Sequence, residues 1–277
     1  MKRFTSGWTV ALLALLPVLV PVLALAPAGC QEFEIPEQSS LADPADFKGN
    51  YIAISSAELS ALVPAHIDTE EARAFERTLT DLTAAIPDGG NLQAWAKDAN
   101  NESPYDLVGV LDPGRTNADG TQVRGEQWQK IHPATCELLK KARQDLDGLK
   151  LKQIHPRVRP HHPDKNESYP SGHTYRAALQ AAVLSQVAPA RARDLVREAM
   201  TLGMLRAVLK VHYPTDIWDG FVVGMTVGYR MGSNPKFQAD VEAAKAEWVN
   251  APSASAPTAP SPATVPATAP AKAPASR

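Results

Sequence analysis

The sequence predicts an all-α fold for the central part of the chain. Apolar residues recur there at the three-to-four-residue spacing of helices, and the alternation typical of half-buried strands is scarce. Proline and glycine stand between these stretches, where helices are expected to begin or end. No repeat at the period of a solenoid accompanies the pattern. These observations favour one helical domain over residues 45–250.

Each helix is predicted from its own stretch of sequence. The first is expected at residues 70–85, where the apolar spacing stops before the turn sequence Pro-Asp-Gly-Gly. The stretch 171–187 begins at a Pro-Ser-Gly turn and is Ala-rich, and the stretch 214–231 begins at Pro214 and is strongly apolar; both starts suit a first helical turn. Helices are also expected at 126–149, 189–209 and 237–249.

Composition limits the classes to which the protein can belong. The chain has 277 residues, of which 44% are hydrophobic, so the body can bury a core. The formal net charge of −2 shows no basic excess, and we therefore expect no nucleic-acid partner. Two cysteines, Cys30 and Cys136, are too few for a disulfide framework, although a bridge between them stays open.

The first 30 residues are predicted to be an export signal. A positively charged start precedes an apolar stretch at residues 8–26, and small residues follow it. The ending Ala-Gly-Cys30 resembles a bacterial lipobox, although Pro27 stands where leucine is usual. We expect lipid attachment at Cys30 and location in the periplasm or cell envelope, with ordinary cleavage or an uncleaved membrane anchor as alternatives.

Two further segments are expected to lie outside the folded domain. Residues 31–44 form a linker after the signal. Residues 251–277 are nearly all Ala, Pro, Ser and Thr, so they lack the large apolar side chains of a core. Their repeated prolines also block helix and sheet hydrogen bonding, which predicts a disordered tail. Beyond the signal, no apolar stretch is long enough to span a membrane.

Three clusters of polar residues in the second half of the body can form an anion site. Lysine and arginine supply positive charge, and the guanidinium fork matches the oxygens of phosphate. Ser171 and Gly172 stand where a helix should begin, and helix N-termini present free backbone N–H groups. The clusters are Lys152 with Arg159, then Ser171, Gly172 and His173, and finally Arg206, His212 and Asp216.

The spacing of the third cluster suits nucleophilic catalysis. Pro214 fits the first turn of a helix, which would put Asp216 in that turn and His212 just before it. A carboxylate there can hold the proton of one imidazole nitrogen and leave the other free to attack. A second histidine would have to protonate the leaving oxygen, and His173 is the candidate.

The patterns Lys-x6-Arg-Pro, Pro-Ser-Gly-His and Arg-x5-His-x3-Asp together resemble the type 2 phosphatidic acid phosphatase superfamily. That superfamily includes class A bacterial acid phosphatases and vanadium haloperoxidases. The resemblance covers about residues 125–250, and segments 166–174 and 234–238 are most similar to the class A acid phosphatases. Residues 45–120 carry no such likeness.

The resemblance implies a helical bundle of the acid phosphatase/haloperoxidase type and a phosphomonoester substrate. His212 would be the nucleophile that forms a phosphohistidine, Asp216 its orienting partner and His173 the general acid. The resemblance implies neither a metal nor a cofactor, and it implies that inorganic phosphate or vanadate binds in the same place. The phosphate-binding residues would be Lys152, Arg159, Ser171, Gly172 and Arg206.

Two residues depart from the family pattern. Leu205 stands where serine usually precedes the third-cluster arginine, so one hydroxyl donor is missing. Lys210 stands where glycine is frequent, and its charge could face solvent or add to the anion site. Because of these two departures, the sequence does not predict the pH optimum or the rate of the reaction.

Several alternatives stay open on the sequence alone. Arg157 could face the anion site or have a solvated or structural role. His161, His162 and Asp164 invite a metal interpretation, although neighbouring histidines in a proline-rich loop are more often surface residues. A lipid or isoprenoid phosphate phosphatase, a vanadium-dependent haloperoxidase and a non-catalytic phosphate-binding lipoprotein are the alternative functions. The physiological substrate and the oligomeric state are not predicted.

Overall fold

The computed structural model describes residues 46–65, 69–85, 103–161 and 167–249. Helices dominate these ranges, which confirms the predicted all-α class. Within them, no helix combines the length and apolarity that crossing a bilayer requires. The predicted signal with Cys30, the linker at 31–44 and the tail at 251–277 lie outside the described residues and stay predictions.

Most of the described helices correspond to stretches predicted from the sequence, but the short helices at 56–62 and 108–111 were not predicted. Short 3₁₀ turns at Gly125–Lys130, Leu151–Gln153 and Pro189–Arg191 connect several of them. Two two-residue strands, β1 (Phe47–Lys48) and β2 (Ala53–Ile54), pair antiparallel near the start. The α-helices are α1 (Ser56–Leu62), α2 (Glu70–Ala84), α3 (Val108–Leu111), α4 (Pro133–Gly148), α5 (Gly172–Val187), α6 (Ala192–Val208), α7 (Pro214–Met231) and α8 (Pro235–Val249).

Helix α5 is the centre of the bundle. Its apolar residues are buried on nearly every side, since α6 and α7 pack along it and α4 and α8 also contact it. A helix that is apolar all round is stable only when neighbours cover each face. The first turn of α5 is therefore held in place by the whole bundle.

Glycines on α7 let that helix approach α5 very closely. Gly220, Gly224 and Gly228 follow one another at four-residue intervals, which places them on one face of the helix. A Cβ atom at Gly224 would lie 2.1 Å from the carbonyl oxygen of Tyr175, and one at Gly220 would lie 2.9 Å from that of Ser171. Both distances are too short for side chains, so the two helix backbones are in direct contact.

The structure differs from the sequence prediction in local details. The predicted helix 126–149 is divided, because Pro133 lacks the N–H that a continuous helix needs and instead begins α4. The stretch 189–209 likewise begins as a 3₁₀ turn before α6. The paired strands β1 and β2 were not predicted, because two residues are too few to show an alternating pattern.

Candidate functional site

The N-terminus of α5 and the first turn of α7 meet in the structure. Ser171 is the N-cap residue of α5, and its backbone N–H donates a hydrogen bond of 2.9 Å to the carbonyl oxygen of Asp216. Its side-chain oxygen accepts a hydrogen bond of 2.8 Å from the hydroxyl of Thr174 and keeps its own proton to donate. The second and third sequence clusters are thus joined by a direct backbone contact.

Lys152 brings the first cluster to the same place. Its ammonium donates to the carbonyl oxygen of Pro170 at 3.0 Å and to that of Glu167. A Cβ atom at Gly172 would lie 3.3 Å from Lys152 Cε, so this glycine leaves room for the lysine beside the helix start. Burial lowers the pKa of Lys152 to about 8, and the positive charge of Arg159 adds to the shift.

The remaining basic residues of the prediction lie on three different segments, namely the loop after Leu151–Gln153, helix α6 and helix α5. Arg159 is partly exposed and lies near enough to His212 for its charge to act on that ring. Arg206 is 5% exposed in the last turn of α6, and its carbonyl oxygen accepts a hydrogen bond of 3.2 Å from the N–H of Val211. His173 is partly exposed and is the second residue of α5.

His212 and Asp216 have the predicted relation to α7. The helix begins at Pro214, Asp216 lies in its first turn, and the carboxylate accepts the backbone N–H of Tyr213 at 2.9 Å. His212 Nδ1 lies 3.5 Å from Asp216 Oδ2, at the outer limit of a hydrogen bond. Nδ1 therefore faces the carboxylate, which leaves Nε2 as the nitrogen for a reacting group.

Burial decides the charge of this histidine. Desolvation lowers the pKa of His212 to about 4 despite the opposing effect of Asp216, and Lys152 and Arg159 act in the same direction as burial. Burial alone would raise the pKa of Asp216, but contact with His212 and the charge of Arg157 outweigh it and lower that pKa. A neutral imidazole next to an ionised carboxylate is the form that can act as a nucleophile at mildly acidic pH.

The neutral, buried His212 predicts a specific loss of stability in acid. Its pKa falls from 6.5 to about 4 on folding, so the unfolded chain binds more protons between these values. The free energy of unfolding should therefore fall as pH drops through this window, by about 3 kcal/mol in full for this one group. His212→Asn removes the effect, and denaturant unfolding at pH 7 and at pH 4 measures it.

The variant should lose less stability than the wild-type protein between these two pH values. His132, whose pKa burial also lowers, is unchanged in the variant and does not affect the difference. Parallel losses in the two proteins would mean that His212 is not held neutral by folding.

Comparison with known proteins covers the part of the chain that carries this site. Residues 124–235 match the PAP2 superfamily. Residues 124–235 are a PAP2 superfamily domain.

Non-specific acid phosphatases are similar to part of this chain. Those of Salmonella typhimurium and Salmonella typhi are each 40% identical over 74 residues, which is 27% of this chain and 30% of the relative. The one of Providencia stuartii is 33% identical over 84 residues, 30% of this chain and 34% of the relative. The chain thus spans about a third of the length of the relatives it matches.

Arg157 binds the carboxylate of Asp216, the residue that faces His212. Its side chain is 1% exposed and donates to Asp216 Oδ1 at 2.7 Å and to the hydroxyl of Thr215 at 2.8 Å. The guanidinium carbon also lies 4.0 Å from the ring centre of Tyr213. Of the two readings open from sequence, the structure therefore supports a structural role for Arg157.

Two partners of this network were missed by sequence reasoning. Ser168 donates its hydroxyl to Asp216 Oδ2, and Glu76 of α2 accepts from Arg157. Glu76 lies outside the PAP2 match, in the region for which the sequence offered no likeness. No local signal could have found it, because its partners in the site, Arg157 and Thr215, are 81 and 139 residues away in sequence.

The two departures from the family pattern have structural explanations. Lys210 has a φ of 57°, a left-handed conformation that favours glycine, and its ammonium pairs with Asp81 of α2 at 2.6 Å. Its charge is therefore directed to α2. Leu205 is 1% exposed in a small apolar cluster with Val208, so the absent hydroxyl leaves no buried polar group there.

The structure also shows the surroundings of the residues that invited a metal interpretation, of two aromatic residues at the start of α7 and of Cys136. His161 pairs with Asp81 at 3.2 Å, whereas His162 and Asp164 lie outside the described residues. Tyr213 is 1% exposed and packs on Arg157, but Trp218 is 53% exposed. Cys136 is buried in the core, and burial raises the pKa of its thiol to about 12.

Proposed function

We propose that the protein is an exported acid phosphatase that hydrolyses phosphate monoesters through a phosphohistidine at His212. The observation that carries this proposal is a buried His212 that has Asp216 at Nδ1 and lies within the electrostatic reach of Lys152 and Arg159. The match of residues 124–235 to the PAP2 superfamily and the similarity to acid phosphatases support the reaction class. In this proposal the phosphatase domain comprises residues 45–250.

The first half of the reaction transfers the phosphoryl group to the protein. Nε2 of His212 forms a bond to phosphorus while the bond to the ester oxygen breaks. His173, at the N-terminus of α5, gives its proton to the departing oxygen, and the alcohol leaves. Asp216 stabilises the imidazolium that results, because its carboxylate faces Nδ1.

The second half regenerates the free protein. A water molecule loses a proton to His173 and attacks phosphorus, and the bond between phosphorus and Nε2 breaks to release inorganic phosphate. Lys152, Arg159 and Arg206 would hold the phosphoryl oxygens throughout, with Ser171 and the backbone at Gly172. These groups supply the positive charge that the transferring phosphoryl group requires, so we expect turnover without an added metal.

Turnover of p-nitrophenyl phosphate by the purified chain in the presence of a chelator tests this proposal. We expect release of inorganic phosphate at mildly acidic pH and inhibition by vanadate, which adopts the geometry of the transferring group. Parallel assays with a lipid phosphate in detergent, and with peroxide, bromide and vanadate, separate the two alternative activities. Absence of phosphate release from every ester would refute the proposed function.

Export and lipid attachment at Cys30 are also proposed, from the signal-like residues 1–30. Labelling of expressing cells with a fatty-acid analogue measures attachment, and Cys30→Ser should abolish it while the protein is still exported. Label retained in the variant would mean that Cys30 is not the attachment site.

A further inference from the structure

A buried chain of charges extends from His212 to helix α2. Asp216 contacts His212 on one side and Arg157 on the other, and Arg157 in turn contacts Glu76. The exposed fractions of the Asp216, Arg157 and Glu76 side chains are 0%, 1% and 9%. Glu76 also accepts the backbone N–H of Thr215 at 3.3 Å, which ties α2 to the first turn of α7.

The net charge of these four side chains changes when His212 reacts. In the resting protein His212 is neutral, so the two negative charges of Asp216 and Glu76 face the single positive charge of Arg157. Bonding of Nε2 to phosphorus makes the ring cationic, and two positive groups then face two negative groups. Uncompensated charge is costly in a buried site, so the reacted state is the one that this arrangement stabilises.

Arg157 and Glu76 have opposite electrostatic effects on the attraction between Asp216 and a cationic His212. Arg157 by itself would neutralise Asp216 and reduce the attraction between that carboxylate and the imidazolium. Glu76 compensates Arg157 from the other side. Other charged groups also act on these side chains. The positive charges of Lys152 and Arg159 act on His212, and the carboxylate of Asp219, a residue of α7, interacts with those of Asp216 and Glu76.

We propose that Glu76 is a positioning residue of the phosphatase site, which compensates Arg157 and so keeps the charge of Asp216 available to the cationic His212. The inference rests on the proposed function. It makes α2 part of the active site, although this helix lies outside the PAP2 match. Glu76 acts through Arg157 and Asp216 and needs no contact with substrate.

Glu76→Gln tests this inference because it removes the charge and retains the shape. We expect kcat to fall about tenfold to hundredfold, the range typical of indirect coupling, while KM changes less than about threefold. In the proposed mechanism vanadate forms a bond to Nε2 of His212 and makes the ring cationic, whereas inorganic phosphate binds without that bond. The variant should therefore lose vanadate affinity about tenfold and keep its phosphate affinity within about threefold.

The double variant Glu76→Gln/Arg157→Met separates charge from packing. It removes both members of the outer ion pair, so Asp216 again faces His212 without competition. Vanadate affinity should recover to within about threefold of the wild type. A purely structural role for Glu76 predicts instead that the double variant is at least as impaired as the single one. Glu71→Gln is the matched control, since Glu71 is exposed on the same helix.

Calorimetric vanadate binding and circular dichroism provide readouts that do not depend on turnover. If Glu76→Gln does not fold, the double variant decides: affinity more than about tenfold below the wild type overturns the inference. Unchanged vanadate affinity in folded Glu76→Gln overturns it as well. A wild-type protein that binds vanadate without hydrolysing esters would refute the proposed function alone, and one that binds no vanadate would refute both.

Discussion

Replacement of His212 by asparagine should lower kcat for p-nitrophenyl phosphate by roughly 10⁴-fold or more, because it removes the nitrogen that bonds to phosphorus. Asparagine is shorter than histidine, and its amide nitrogen is not nucleophilic. Lys152 and Arg159 remain in place, so affinity for inorganic phosphate should change by less than about tenfold. Phosphate release and equilibrium binding of phosphate measure the two effects separately.

His132→Asn is the matched control for this variant. His132 is 2% exposed, and its ring stacks 3.8 Å from that of Trp248 between α4 and α8. The control therefore also removes a buried imidazole, but from a part of the bundle that includes no proposed site residue. It should reduce stability and leave kcat of the folded protein unchanged. Activity of His212→Asn close to that of the control would exclude a phosphohistidine at this position.

The fold was predictable wherever a helix carries its own signals. α7 begins at Pro214 as predicted, because proline fixes the backbone angle of a first turn and needs no hydrogen-bond donor there. The start of α5 at Gly172 likewise follows from the Pro-Ser-Gly turn before it. The close packing of α7 on α5 was not predicted, although the interval between Gly220 and Gly224 is visible in the sequence. Glycine spacing alone does not identify the helix that packs against it.

The candidate site was predictable to the extent that its residues lie at helix ends. Ser171 and Asp216 belong to first turns that the sequence itself specifies, and the backbone bond between them follows from the packing of α5 on α7. The side chains that donate hydrogen bonds to Asp216 belong to residues far from it in the sequence: Ser168 is 48 residues away and Arg157 is 59 residues away. Such contacts depend on tertiary structure, which local patterns do not encode.

Lys210 shows how a departure from a family pattern can be understood only in three dimensions. The left-handed backbone at this position suits glycine, the residue that the family pattern leads one to expect there. A lysine there carries a conformational penalty, which a non-glycine residue in that region usually has. Its ion pair with Asp81 is half-exposed and offsets part of that penalty. The departure is visible in the sequence, but the direction of the side chain depends on the tertiary structure.

Asp216→Asn should lower kcat by roughly 10³-fold to 10⁴-fold, comparable to the effect of the same change behind a catalytic histidine in a protease. The neutral amide no longer stabilises a cationic His212. Its NH₂ group can also donate toward Nδ1, which favours the tautomer with the proton on Nε2, the nitrogen that must attack. KM should change less than about threefold, because Asp216 faces the ring and not the phosphate.

Asp145→Asn is the control that separates this effect from a loss of stability. Asp145 is 1% exposed and accepts the backbone N–H groups of Asn50 at 2.6 Å and Tyr51 at 2.7 Å, so it is also a buried carboxylate with several donors. Both variants should unfold at lower denaturant concentrations, since each leaves buried donors without a charged acceptor. A large loss of kcat is expected for Asp216→Asn alone. If both variants lost kcat to the same degree, Asp216 would contribute to folding and not to the orientation of His212.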